Sequence, residues 1–148
     1  GKNDCVIFCG GTNDVNNGNF EDGVQAVQKS LIDLQHTQVI VVNVPYRYDL
    51  PQNSVVNRNV EKVNKRISTV CNNLRNVQVI EVAKYNRSHF TRHGLHLNKY
   101  GKRKLCQDLL TQIEKGPPQL KNTTSNPNMS IGKQVSTASV SPPPATKN

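Results

Sequence analysis

In Asp4-Cys5-Val6-Ile7-Phe8-Cys9-Gly10-Gly11-Thr12-Asn13-Asp14, an uninterrupted apolar run follows Asp4 and is closed by two glycines. Such a run leaves no alternate position for water, so it predicts a strand buried on both faces, as inside a parallel sheet. Val39-Ile40-Val41-Val42-Asn43-Val44, stopped by Pro45, predicts a second strand. Val77-Gln78-Val79-Ile80-Glu81-Val82 predicts a third, less uniformly apolar and therefore nearer an edge. Between these runs the period changes. Val24, Val27, Leu31 and Leu34 form one helical stripe, with Glu21 and Asp22 at the end where the helix dipole favours acids. Val56, Val60, Val63, Ile67, Val70 and Leu74 form another by alternating steps of four and three. A last helix takes Asn98 as N-cap, buries Leu105, Leu109 and Ile113, and stops at Gly116 before two prolines.

Strand, helix, strand, helix, strand, long loop, helix is the alternation of an α/β fold with a parallel sheet and helices on both faces. Three strands make a thin version of it. The far edge of the first strand has no candidate partner, so the reading places at least one further strand ahead of Gly1 and treats residues 1–115 as a partial domain.

The chain has 148 residues, 34% of them hydrophobic, and a net charge of +9. All ten acids lie at or before Glu114, and six of the eight prolines fall after it. Residues 116–148, rich in Pro, Ser, Thr and Asn, cannot bury enough apolar surface to offset their ordering entropy, which predicts a disordered tail. No apolar stretch approaches the roughly 20 residues of a membrane-spanning helix. Cys5, Cys9, Cys71 and Cys106 lack C-x-x-C spacing and sit in apolar periodic segments. That pattern predicts buried free thiols and favours a reducing, intracellular compartment.

Gly11-Thr12-Asn13-Asp14 after a buried strand resembles the G-x-N-D block of the SGNH/GDSL hydrolase family. His93-Gly94-Leu95-His96-Leu97-Asn98 resembles its terminal D-x-x-H block, with a Leu-Asn helix start behind it. The two blocks occur in order, about 80 residues apart, and the likeness spans roughly Asp4 to Lys115. Similar domains are carried by some invertebrate mobile elements. The resemblance implies a flavodoxin-like three-layer α/β/α fold and hydrolysis of an ester or acylated small molecule, with no cofactor. It also implies that Asn13 and Gly11 belong to the oxyanion hole and that His96 is the general base. Acyl transfer through serine requires such a base together with donors aimed at the developing oxyanion.

Two departures weaken that expectation. The family's serine lies in a G-D-S block ahead of G-x-N-D, and no serine of this chain replaces it: Ser30 and Ser68 fall in helices, while Ser54 and Ser88 lack any nucleophile context. His93 stands at the position of the family's acid, and a neutral imidazole supplies no charge to an imidazolium. In serine proteases, neutralising the equivalent acid costs roughly 10⁴ in turnover. The expectation is therefore an incomplete or catalytically degraded esterase domain.

A competing reading starts from charge. Residues 83–107 contain no acid, yet hold Lys84, Arg87, Arg92, Lys99, Lys102, Arg103 and Lys104, interleaved with Tyr85, Phe90 and Tyr100. Phosphate contacts from Arg92, Lys99, Lys102 and Arg103, with stacking on the aromatics, would suit a single-stranded nucleic acid or another polyanion. His89, His93 and His96 suggest a metal only weakly, since Gly94 interrupts them and no acid or cysteine follows. No metal site is assigned.

Overall fold

The computed structural model describes residues 4–18 and 20–116. The expected tail, apart from Gly116, and the expected strand ahead of Gly1 lie outside the described residues. The described part is an α/β structure in three layers: a parallel sheet flanked by helices. Strands β1 (Cys5–Cys9), β2 (Gln38–Val42) and β3 (Val77–Ile80) pair in the order β1-β2-β3. Parallel register aligns Ile7 with Ile40 and Val42 with Ile80.

Alternation along β2 sends side chains to both faces, and both are apolar. Val39 and Val41 meet α2 (Phe20–Asp33) and α3 (Val55–Asn72) through Val24, Leu31, Val60, Val63 and Ile67. Ile40 and Val42 face the other layer, where Leu105 and Leu109 of α4 (Lys99–Lys115) pack beside Ile80 and Val82. Fully burying a side chain such as Leu31 or Ile40 stabilises the fold by about 1.5–3 kcal/mol. Glu21 and Asp22 occupy the first turn of α2 as the dipole argument requires. Asn98 caps α4 by accepting from the N–H groups of Tyr100 and Gly101, and Gly116 ends the helix with a positive φ of 66°.

Three expectations are corrected. β1 is not buried on both faces: Ile7 is 44% exposed. Register puts Ile7 on the α4 side of the sheet, but α4 lies over β2 and β3, and among the described residues none covers Ile7 as Leu105 and Leu109 cover Ile40 and Ile80. Of the four free cysteines only Cys71 is buried; Cys5 is half-buried, and Cys9 and Cys106 are exposed. Cys9 shares the face of β1 that exposes Ile7, and Cys106 lies on the outer side of α4. Ile113 is also exposed, because the end of α4 is seated by polar side chains. Gln38 Nε2 donates to the Gln112 carbonyl (2.9 Å) and Gln78 Nε2 to the Gly116 carbonyl (2.9 Å), satisfying helix-end acceptors.

Candidate functional site

The three parallel strands deliver their following loops to one end of the sheet. The first loop is very short. Gly10 and Gly11 lead directly into α1 (Thr12–Asn17), so Asn13, expected in a loop, stands exposed in the first turn of a short helix. Gly11 has φ 93°, and a Cβ there would lie 2.9 Å from Val44 Cγ2. Only glycine combines that backbone conformation with so close an approach to the loop after β2. Asp14 lies inside α1, where its backbone carbonyl accepts the N–H of the C-cap Gly18. Asn59 of α3 secures the helix by donating to the Val15 carbonyl (3.2 Å).

The third loop carries the histidines. After two short 3₁₀ turns, Val82–Lys84 and Arg87–His89, the chain doubles back so that Phe90 and Leu97 pair as an antiparallel bridge. Inside the bridge, Thr91 N–H donates to the His96 carbonyl (2.8 Å) and Gly94 N–H to the Thr91 carbonyl (2.9 Å). Asn98 fastens the base of this turn by donating from Nδ2 to the Ser88 and Phe90 carbonyls. Gly101 packs against the His89 carbonyl so tightly that any side chain there would collide with it. His93 and His96 are both exposed at the tip. His89 is set apart, its Nδ1 2.7 Å from Asn86 Oδ1 and its ring beside that of Tyr85. Among the described residues no group of three or more His, Cys, Asp or Glu could hold a metal ion.

Sequence reasoning passed over the middle loop, residues 43–54, which occupies the space between the other two. Three asparagines secure it. Asn43 accepts from Ala83 N–H (3.0 Å), and Asn64 exchanges two hydrogen bonds with the backbone of Val44 (2.9 and 2.8 Å). Asn57, only 2% exposed, accepts from Arg47 N–H (2.9 Å) and donates to the carbonyls of Arg47 and Pro51 (3.1 Å each). A signal for Asn57 and Asn64 was present, since asparagine is a poor helix former placed inside α3.

The same loop touches the histidine turn. Tyr48 N–H donates to the Gly94 carbonyl (3.1 Å), Tyr48 Oη donates to the Tyr85 carbonyl (2.7 Å), and the Tyr48 and Phe90 rings lie 4.7 Å apart. Arg47 grips Asp49 with both arms, Nε to Oδ1 at 2.7 Å and Nη2 to Oδ2 at 2.6 Å. Those hydrogen bonds hold the Asp49 carboxyl below the usual carboxylate range against the opposing effect of burial, and the charge on His96 lowers it further.

Asn13 and His96 thus leave the same end of the sheet, but from β1 and β3, which β2 separates. Two inter-strand spacings put those strand ends about 10 Å apart. The middle loop connects the two motif loops by contacting Gly11 on one side and Gly94 on the other. Beneath Gly10 and Gly11 an apolar cavity of about 170 Å³ opens among Phe8, Phe20, Val24, Val41 and Ile67.

The basic stretch is less uniform than its sequence. Lys84 pairs with Glu81, Lys104 with Asp108, and Arg87 is turned onto the carbonyls of Thr91 and Arg92. Burial by itself raises the Asp108 carboxyl, but hydrogen bonds from Tyr85 and Lys104 overcome it and the group titrates below its ordinary range. Lys99, Lys102 and Arg103 line an open groove on α4 together with Thr91 and Cys106. The stacking platform is corrected, because Tyr85 and Phe90 are core residues and only Tyr100 presents its ring, at 71% exposure.

Comparison of the chain with protein-family models, curated proteins and solved structures finds no match.

Proposed function

We propose that this chain is an SGNH/GDSL-type esterase-like domain that carries the histidine and oxyanion parts of a serine-dependent site. One observation supports the reading above the rest: the two motif loops, far apart in sequence, emerge at one end of the sheet and pack on a shared middle loop through glycines. In this reading His96 takes the proton of a serine hydroxyl, and the Asn13 amide with the Gly11 backbone faces the developing oxyanion. The apolar cavity below Gly11 has the dimensions for a short acyl chain or a single ring, since a dry cavity of roughly 150 Å³ accepts benzene. The substrate class is accordingly an ester with a small acyl group.

The test uses a polypeptide in which a Gly-Asp-Ser strand precedes Gly1. It should turn over p-nitrophenyl acetate or butyrate, with a loss of about 10²-fold or more on His96→Ala and on Asn13→Ala. Turnover indifferent to His96→Ala would sink the assignment.

The groove formed by Lys99, Lys102 and Arg103 favours a second reading, a polyanion-binding surface that acts through phosphate contacts rather than stacking. Binding of single-stranded RNA by the chain, followed by fluorescence anisotropy, should weaken with salt and with Lys102→Ala or Arg92→Ala. Absence of binding at low salt would end this reading.

A further inference from the structure

The expected weakness of the site is the missing acid: His93 occupies the position from which the resembled family supplies a carboxylate. The structure brings another acid to the histidine turn from a different loop. Asp49 follows β2, and β2 is the central strand, so its loop lies directly beside the turn that follows β3.

The contact is close. Gly94 has φ 85°, and a Cβ there would stand 2.6 Å from Asp49 N and 2.5 Å from the Tyr48 carbonyl carbon. The two backbones therefore touch. Gly94 lies two residues before His96, in a turn whose ends are joined by the Thr91 N–H to His96 carbonyl bond. Asp49 and His96 thus belong to segments in van der Waals contact and held by hydrogen bonds.

The loop that carries Asp49 is held by groups other than its carboxylate as well. Asn57 holds it through the backbone of Arg47 and the Pro51 carbonyl, and Leu50 N–H closes the turn onto the Arg47 carbonyl (3.2 Å). The Arg47 fork orients the carboxylate. It engages one lone-pair direction on each oxygen and the backbone N–H of Asp49 engages a third, while an ionised carboxylate offers about four acceptor sites, so capacity remains for one imidazole N–H.

We propose that Asp49 is the positioning acid of His96, supplying from the middle loop the negative charge that His93 cannot supply. The proposal rests on the reading of His96 as general base. During proton transfer from a serine hydroxyl to the imidazole, Asp49 accepts the N–H of the other ring nitrogen and stays ionised. The positive charge that develops on His96 then meets a fixed negative one. Other charged or titratable groups on these two loops include Arg47, Tyr48, Arg87, Arg92 and His93. Arg47 is bound to the carboxylate itself, and Arg87 is directed to the Thr91 and Arg92 carbonyls and over the Tyr48 ring. The electrostatics agree with the geometry, since the charge on His96 helps to keep Asp49 ionised.

The experiment is a ¹³C carboxylate NMR titration of the whole 148-residue chain, with the Asp49 signal assigned by Asp49→Asn. His96→Gln is expected to move the Asp49 midpoint upward by a few tenths of a pH unit, because it removes a nearby positive charge. Arg47→Gln should move it further in the same direction, and His93→Gln should move it much less. An Asp49 midpoint unaffected by His96→Gln, or moved equally by His93→Gln, would overturn the proposal, since an acid that merely pairs with Arg47 would behave in that way. The titration needs neither serine nor ester. It can fail while ester turnover persists, or succeed where turnover is absent, so the two readings fail separately.

Discussion

Replacing Gly94 with alanine perturbs a place where the middle loop and the histidine turn share a backbone contact. Two costs follow from the structure. With φ at 85°, an L-residue pays about 1–2 kcal/mol for the left-handed conformation. The new Cβ also arrives 2.5 Å from the Tyr48 carbonyl carbon, so the loops must separate by about 1 Å to reach ordinary contact. That separation breaks the Tyr48 N–H to Gly94 carbonyl bond, and leaving its partners unsatisfied costs a further 1–3 kcal/mol, roughly. The sum is about 3 kcal/mol. With a urea m-value of about 1.5 kcal/mol/M, the unfolding midpoint should fall by about 2 M. Gly18→Ala is the control, because Gly18 also has a positive φ, 76°, but its Cβ would meet nothing within 4 Å. It should cost only the backbone part, about 1 kcal/mol. Equal destabilisation by the two substitutions would refute the loop contact and, with it, the juxtaposition of Asp49 and His96.

Three further outcomes are expected. Asn57→Ala leaves the Arg47 N–H and the Arg47 and Pro51 carbonyls without their partner and should destabilise the chain by about 3 kcal/mol; a change below about 1 kcal/mol in urea unfolding would contradict the pinned loop. Burial pushes the Cys71 thiol up to about 11, above its ordinary value, so the folded state keeps the proton to higher pH than the unfolded chain does. Its contribution to stability is full below about pH 8.5 and is lost as pH rises through about 11. Unfolding midpoints should therefore fall more steeply with alkaline pH in the parent than in Cys71→Val, and a thiol reagent should label Cys9 and Cys106 well before Cys71.

How much was legible varied with the kind of signal. Local signals were read correctly: the 3.6-residue stripes of α2 and α3, Asn98 as a cap, Gly116 as a stop, and the three apolar strands. Each depends on side chains a few residues apart and so is written into a short window. Burial was misread wherever it depended on what lies across the sheet. Ile7 and Cys9 have the composition of a core strand, but only the position of α4 over β2 and β3 exposes them. Tyr85 and Phe90 resembled a stacking surface because basic residues surround them in sequence, whereas the fold turns both rings inward.

By itself, the sequence determined the class of fold and the two motif loops, because hydrophobic period and glycine-bounded turns are local properties of the chain. Tertiary structure alone decided which residues between those loops matter. Asp49 is distant in sequence from His96, and no spacing rule connects them. Their loops meet because β2 pairs between β1 and β3, and because Gly94 lets the loop after β2 lie against the turn after β3. Strand order is a property of long-range pairing, so the contact between the Asp49 loop and the histidine turn became visible only once the sheet was assembled.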